Sequence, residues 1–411
     1  MPKSALSKAE FVAIVAALMI VDALAIDIML PALPNIGDTF GIAREGDRAL
    51  VVATFLIGFG LPQLLFGPLV DRFGRRRPIL VGLVAYIVCA LAGTLAPTFL
   101  VLLILRFLQG IAAAAVRVAL NAAVRDRYSG AEMAEVLSLV MSIFLLVPII
   151  MPTVGQLIIL AGPWQWIFIA MALIAAATWI WTFARLGESQ KPEDRRSLDF
   201  GVVIEGFGIV LRNRRAFFYG IAAVFLQAAI FGMIITTQLV FTEIYPWGVY
   251  YPASMALIGG SAAVTFLVAS RVLGRIGLRR SAHTGASLIP VLFLAALLVS
   301  IGPGLPDWGY LLTMMLLAPC IVPAFAGCGA LSMEPLGEVA GTATAVFGTL
   351  QVVFGTLIGL AITQAYNGTV QPLLIGMGLM GLLALACFAI AENGRLFGRD
   401  QGPASVPLEA L

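Results

Sequence analysis

Residues 11–33 read FVAIVAALMIVDALAIDIMLPAL, an apolar run that two acids interrupt, Asp22 and Asp27. A helix needs about 20 apolar residues to cross a bilayer, so this run is long enough to span a membrane. An ionised side chain near the centre of such a helix costs roughly 3 kcal/mol or more, and acids placed there usually face a polar cavity or a partner charge. The two acids are therefore the first candidates for a functional site.

The composition predicts an all-α membrane protein with many spans. Of the 411 residues, 61% are hydrophobic and 11% are charged, and the mean hydropathy is +1.01. Soluble domains carry about 25% charged residues. The first run is too long for a signal-peptide core and no A-x-A-like cleavage site follows it, so we expect it to be retained. A single histidine, no P-loop and no metal-ligand cluster indicate that the protein is not an enzyme and holds neither a metal nor a cofactor.

Charged and Gly/Pro-rich breaks divide the chain into twelve apolar spans, at about 11–33, 49–70, 79–96, 98–123, 136–160, 165–184, 217–241, 252–273, 284–302, 309–331, 340–364 and 372–391. An even number of spans places both termini on one side of the membrane, here called the terminal side. The opposite side is called the distal side. Of the 25 Lys and Arg residues, 21 fall on the terminal side, two on the distal side and two within a span. Because basic loops stay in the cytoplasm, we expect cytoplasmic termini.

The longest polar connection predicts two six-helix halves, residues 1–184 and 216–411, joined by a cytoplasmic linker over 185–215. A short internal repeat favours this division. When Arg72 is aligned with Arg275, Gly74 also meets Gly277 and Arg76 meets Arg279. Parallel repeats related by an axis along the membrane normal are a known transporter layout.

Four stretches carry a resemblance to a known family: 67–76 (GPLVDRFGRR), 26–34 (IDIMLPALP), 105–110 (LRFLQG) and 147–156 (VPIIMPTVGQ). The first resembles the loop signature of the major facilitator superfamily. The second is similar to the end of helix 1 in its bicyclomycin/chloramphenicol-resistance (Bcr/CflA) drug:proton antiporters. The third and fourth resemble the helix 4 motif of proton-coupled members and the helix 5 motif of antiporters.

This resemblance implies the major facilitator fold and proton-driven export of small amphipathic drugs by alternating access. We expect a monomer in the inner membrane of a bacterium, with a small molecule and protons as its partners and no nucleic acid. The helix 5 motif, here Pro148, Pro152 and Gly155, is implied to pack closely against the other half. The chain departs from that motif where Met151 and Gln156 replace glycines.

Asp27 and Arg106 are expected to lie at a matching depth, about 10 and 12 Å from the distal ends of their helices at 1.5 Å per residue. They could pair across a cavity or share hydrogen bonds, with the proton and the substrate competing for one site. The pKa of a carboxylate in a partly dry cavity depends both on burial and on a nearby cation, and this makes the carboxylate a candidate proton carrier. The alternative is a static ion pair that only fixes helix packing.

Arg106 and Arg117 are 11 residues apart, almost three helical turns, so they share one face of the fourth span with Gln109 and Asn121 near it. Arg117 and Asn121 are candidate substrate residues, although Arg117 could instead extend to the lipid headgroups. Asp22 lies about 140° around the helix from Asp27. It is nearest the middle of the membrane, and it is either a substrate and proton residue or simply a buried, hydrogen-bonded acid.

The loop after the second span is expected to be a conformational latch, formed by Gly67, Asp71, Arg72, Gly74, Arg75 and Arg76. Gly67 would permit close helix approach, and Asp71 would cap a helix or pair with an arginine. The arginines would anchor the loop at the lipid surface and stabilise the state that opens to the outside. The alternative is a mere topology signal.

The spans of the second half contain no acid or base. We expect them to provide a largely apolar wall with a few hydrogen-bonding points, although ordinary packing is the alternative for its aromatic members. The candidates are Gln227, Phe231, Gln238, Gln351 and Phe354.

Two other functions remain open at this point. One is proton-coupled transport of a specific anionic metabolite, with Arg106 and Arg117 clamping its carboxylate. The other is a receptor or scaffold derived from a transporter, which would carry no flux driven by a pH gradient.

Overall fold

The structure is a computed structural model, and it describes residues 6–144, 146–190, 193, 201, 208–245, 247, 250–302 and 304–398. This part of the chain is helical and contains no β-strand. In chain order the main helices are α1 (Lys8–Asp27), α2 (Leu33–Phe40), α3 (Leu50–Gly60), α4 (Gln63–Phe73), α5 (Arg76–Gly93), α6 (Phe99–Arg127), α7 (Gly130–Phe144), α8 (Val147–Ala161), α9 (Gln165–Arg185), α10 (Arg214–Leu239), α11 (Tyr251–Ile276), α12 (Leu278–Ile301), α13 (Asp307–Met333), α14 (Ala340–Gln364) and α15 (Gln371–Ala391).

Within the described residues, ten helical segments are long and apolar enough to cross a membrane, and the bent pair α3–α4 makes an eleventh. The helices α7 and α8, each 15 residues long, together occupy the place of the predicted fifth span. The all-α membrane architecture is thus confirmed. The second and fifth spans differ from the prediction because each is a broken helix, with Pro62 at the first break and Pro148 just after the second.

The first span is also broken, and the break frees backbone carbonyls. In a regular helix the Met29 amide would donate to the Ala25 carbonyl, but here it donates to Ile26 instead. Pro31 is the second residue of the short 3-10 helix that follows (Leu30–Ala32), and it has no amide hydrogen to donate. The Ala25 carbonyl is therefore available to a side chain.

The helices before the linker pack mainly on one another, with α3 and α5 against α6, and α1 against α7, α8 and α9. The helices after it form a second group, in which α10 packs on α14 and α15, and α12 on α13 and α15. The groups meet where α14 contacts α3 and α4, and where α11 contacts α8.

Local geometry supports the repeat. Gly74 and Gly277 occupy matching loops with φ of 88° and 91°, a region that favours glycine. A glutamate that follows the last helix of each group reaches the matching loop: Glu188 accepts from the Arg76 amide, and Glu392 pairs with Arg279. The middle of the 185–215 linker and the side chains of 269–275 lie outside the described residues, so the division into halves stays a prediction.

Candidate functional site

Asp22 forms a buried ion pair with Arg117, which joins α1 to α6. The Arg117 Nε atom donates to Asp22 Oδ2 at 2.8 Å, and the exposed fractions of the side chains are 5% for Asp22 and 19% for Arg117. The rings of Phe59 and Phe144 lie 5.9 and 5.6 Å from the guanidinium carbon. Arg117 therefore does not extend to the headgroups, because a buried carboxylate holds it inside the protein.

Arg106 is fully buried and is held by neutral groups. It donates to the carbonyls of Ala25 at 2.6 Å and Val51 at 3.1 Å, and to Gln109 Oε1 at 2.8 Å. The Phe55 ring lies 4.6 Å from its guanidinium carbon. The ion pair with Asp27, one of the arrangements that the sequence allowed, is not formed among the described residues. The break in the first span presents a free carbonyl at the negative end of α1, and this carbonyl stabilises the Arg106 cation without a carboxylate.

Asp27, the last residue of α1, is 4% exposed. Within the described part of the chain it has neither a hydrogen-bond donor nor an ion-pair partner. It lies near the second group of helices, close enough to Tyr251 for an electrostatic interaction. The two acids of α1 thus have different surroundings, since Asp22 is neutralised by an arginine and Asp27 is not.

Sequence reasoning missed a group of buried hydroxyls in the second half, here called the hydroxyl cluster: Thr236, Thr237, Tyr251 and Tyr310. All four side chains are buried, and among the described residues none of their oxygens has a hydrogen-bond partner outside the cluster. The two threonines lie beside Tyr310, and Tyr251 interacts electrostatically with both Tyr310 and Asp27. Adjacent threonines in one apolar span were a usable signal, but tyrosines at the ends of spans resemble ordinary interfacial anchors.

A cavity of about 360 Å³ lies between the two groups near the terminal side. Asn121 and Arg125 of α6 contribute to its wall, together with Gly67 of α4 and Thr344 of α14. Asn121 therefore lies at a cavity, as expected. The expected close helix contact at Gly67 is wrong in this state, because a Cβ atom there would meet no atom within 4 Å. Asp22, Asp27, Arg106 and Arg117 do not line this cavity.

The distal side is closed by polar contacts between the two groups. Arg48 Nη1 lies 2.9 Å from Glu243 Oε1, and Gln364 Nε2 donates to Asp47 Oδ1 at 3.0 Å. By contrast, ion pairs at the terminal side stay within one group in the described chain, as Arg185 with Glu10 does. The structure is consequently closed distally and has its cavity at the terminal side.

The candidate substrate residues of the second half lie at several different places in the structure. Gln227 and Phe231 pack against the glycines Gly355 and Gly359 at the contact of α10 with α14. Gln238 donates to Thr242, which lies in the π-helical turn that follows α10. Gln351 is half-buried. Phe354 is 49% exposed on the same apolar face as Leu357. None of the five lines the described cavity, so their substrate role stays a prediction.

In the predicted latch, Arg75 is the residue that joins the loop to α6. It pairs with Asp71 at 3.1 Å and with Asp126 of α6 at 2.8 Å. Glu188, rather than Asp71, accepts from the Arg75 and Arg76 amides at the start of α5. Arg76 also donates to the Phe183 and Leu186 carbonyls at the end of α9, whereas Arg72 is exposed.

The helix 5 motif lies at two tight contacts. A Cβ atom on Gly155 would collide with the Ile28 carbonyl and lie 3.3 Å from Pro31, so α8 packs directly on the break in the first span. The same helix contacts α11 of the second group through Ile149, next to Pro148, where a Cβ atom on Gly259 would lie 2.8 Å from the Ile149 side chain. Pro152 is buried within α8.

Two groups of membrane-crossing helices, closed against each other on one side and separated by a cavity near the other, have the architecture of a polytopic membrane transporter. A protein-family model described as Major Facilitator Superfamily matches residues 15–360. The chain belongs to the major facilitator superfamily, and it is a transporter rather than an enzyme.

Individual similar proteins indicate which branch of the superfamily the chain resembles. The chain is 28% identical to the uncharacterized MFS-type transporter YdgK of Bacillus subtilis, over 83% of this chain and 85% of that protein. It is 24% identical to a bicyclomycin resistance protein homolog of Haemophilus influenzae, over 91% and 94%. Further relatives are named for chloramphenicol and multidrug resistance, which confirms the resemblance to the drug-resistance branch. A D-xylose-proton symporter structure matches 93% of this chain and 96% of its own, with a TM-score of 0.70 and 15% identity, and shows the same fold.

Proposed function

We propose that the protein exports small amphipathic drugs in exchange for protons. The observation that carries this proposal is the contrast between the two acids of α1, one neutralised by Arg117 and one buried without a partner. The names of the relatives support a drug as the cargo. The basic loops support a cytoplasmic terminal side, so that the cavity in this state opens toward the cytoplasm of a bacterium.

Asp27 is the proposed proton carrier. It has no cation to balance its charge, so a proton balances it while the distal side is closed. Rocking the halves apart distally would expose Asp27 to water on that side, because Tyr251 belongs to the other group. Proton entry from the distal side and drug entry from the terminal side then alternate, which moves the two in opposite directions.

Arg106 and the Asp22–Arg117 pair have supporting roles in this mechanism. Arg106 donates to the Ala25 carbonyl, two residues before Asp27, and so holds the end of α1 in place. The ion pair lies deeper than Asn121 on α6, and we assign it to the inner end of the substrate path. Each proton that moves down 100 mV supplies about 2.3 kcal/mol, which sustains roughly a 50-fold gradient of a neutral drug.

The anionic-metabolite alternative has little support in this geometry. Its clamp requires two arginines that are free to bind a carboxylate, but Arg117 is paired with Asp22 and Arg106 is occupied by two carbonyls and Gln109.

The test is chloramphenicol flux into proteoliposomes under an imposed pH gradient. Wild type and Glu132→Gln, an exposed control acid on α7, are expected to transport in proportion to the gradient. Asp27→Asn is expected to lose gradient-driven transport while still allowing slow equilibration, and Asp22→Asn to lose both. Gradient-driven transport by Asp27→Asn at the wild-type rate would overturn the proposal.

A further inference from the structure

A second cavity, of about 650 Å³, opens on the outside of the first group of helices, between α4, α5 and α6. It is here called the outer groove. Its floor consists of small residues, Gly82 and Ala85 of α5 with Ala112 and Ala115 of α6. Gly82 brings the two helices together, since a Cβ atom there would lie 2.8 Å from the Ala112 carbonyl.

The bend in the second span makes the groove. The axes of the segments before and after Leu61 and Pro62 differ by 47°, and α4 leans on α6 much more than on α5. The side chains of Phe66, Leu69 and Phe73 form the wall that results. The opposite rim includes Val81, which is 68% exposed on the membrane-facing surface.

The groove has the dimensions of one lipid chain. It follows α5 from Arg77 to Cys89, which is about 18 Å at 1.5 Å per residue. One leaflet of a hydrocarbon core about 30 Å thick is about 15 Å deep. The groove thus reaches from the terminal-side surface to about the middle of the membrane. Among the described residues, Arg77 is the one charged residue that lines it.

The four arginines at 72–77 divide into two kinds. Arg75 and Arg76 are used inside the protein, by Asp126 and by the carbonyls at the end of α9. Arg72 and Arg77 are exposed, and in the described part of the chain neither has a carboxylate or hydrogen-bond partner; Arg72 only lies over the Phe73 ring. Arg77 lines the groove, and Arg72 directly precedes Phe73 of its wall. Two exposed guanidinium groups on the loop at this end of an apolar groove suit a phosphate.

We propose that the outer groove binds an anionic phospholipid, with an acyl chain between α4 and α5 and the phosphate at Arg72 and Arg77. A drug fits this groove less well, because small-molecule sites combine an apolar lining with several convergent polar groups. Another face of α4 contributes Gln63 and Gly67 to the cavity near the terminal side. A lipid held in the groove keeps α4 away from α5 and so favours the state with the terminal-side cavity. The site does not depend on the identity of the cargo.

The test is native mass spectrometry of the detergent-purified chain with phosphatidylglycerol and phosphatidylcholine of the same acyl chains. Wild type is expected to prefer phosphatidylglycerol, and replacing each of Arg72 and Arg77 by Gln is expected to reduce that preference about fivefold. Arg395→Gln, an exposed arginine of the second half, is the matched control and should leave it unchanged. Equal binding of both lipids by wild type, or a preference that survives Arg72→Gln/Arg77→Gln, would overturn the proposal.

A second measurement places the acyl chain. Cys89 is the partly exposed cysteine in the groove, and the other three can be replaced by Ala. A fluorophore on Cys89 is expected to be quenched saturably by phosphatidylglycerol with brominated chains, and Ala85→Trp should weaken this quenching. Quenching that chloramphenicol relieves at the concentrations at which it is transported would instead identify a drug entrance and contradict the lipid assignment.

Discussion

Asp22 and Asp27 lie five residues apart on one helix, yet only Asp22 has a cation. The spacing on α6 was sufficient to predict that Arg106, Gln109 and Arg117 share a face, and Arg106 does donate to Gln109. That Arg117 pairs with Asp22, whereas Arg106 binds neutral groups, was not predictable. The answer depends on the free Ala25 carbonyl, and that carbonyl is free only because the first span breaks before Pro31.

At the Asp22–Arg117 pair, Arg117→Gln is expected to lower the free energy of unfolding by about 3 kcal/mol, because it leaves a buried carboxylate without its cation. The double variant Asp22→Asn/Arg117→Gln should regain most of this loss, since neither charge remains. Chemical or thermal unfolding of the purified proteins measures the free energy of unfolding of the single variants and of the double variant. A double variant whose loss equals the sum of the two single losses would show that the pair is not coupled.

At the hydroxyl cluster, Tyr251→Phe separates function from stability. The hydroxyl is buried without a partner, and such a group costs about 1–3 kcal/mol, so its removal should leave stability unchanged or raised. We nevertheless expect weaker coupling of chloramphenicol flux to the pH gradient, because this hydroxyl interacts electrostatically with Asp27 across the two groups. Reduced stability together with intact coupling would assign Tyr251 a purely structural role.

Among the helices, the breaks could not be predicted from the length of the apolar runs alone. Hydropathy gives the extent of a span, whereas the breaks at Pro62 and before Pro148 depend on what packs against each half of the span. Gly155 illustrates this point, since α8 can approach the break in the first span only without a side chain there. The bend at Pro62 likewise creates the outer groove, which no periodicity in the sequence indicated.

Gly155→Ala tests this contact. The added Cβ atom would collide with the Ile28 carbonyl, and we expect a loss of about 1–3 kcal/mol in the free energy of unfolding together with slower transport. Gly260→Ala in α11 is the matched control, because no atom lies within 4 Å of its Cβ position and alanine favours the helix. Thermal unfolding of both variants should therefore shift in opposite directions. Equal shifts would show that the α8 contact is loose.

For the whole molecule, composition predicted the all-α membrane fold, because hydropathy and charge are summed properties of the chain. The count of twelve spans stays a prediction, since the described residues contain ten segments long and apolar enough to cross a membrane, or eleven with the bent pair α3–α4. The open side was not predictable, since one sequence must support both states of the cycle. The structure shows which side is closed, because Arg48 pairs with Glu243 of the other group on the distal side.

Reversing this pair tests the distal closure. Arg48→Glu brings two acids together and is expected to open the distal side. A cysteine introduced at Thr236, which is buried near the distal end of α10, should then be labelled more by a membrane-impermeant maleimide. Arg48→Glu/Glu243→Arg restores opposite charges and should return the labelling to the level of the protein with both native residues. Labelling that Arg48→Glu leaves unchanged would mean that this pair does not hold the distal side closed.

Proton release on substrate addition tests the exchange at Asp27 most directly. Chloramphenicol added to the purified protein in weakly buffered solution near neutral pH should release protons from wild type, as reported by a pH-sensitive dye, and none from Asp27→Asn. Release from Asp27→Asn equal to that of wild type, or no release from a wild-type protein that binds the drug, would contradict the account.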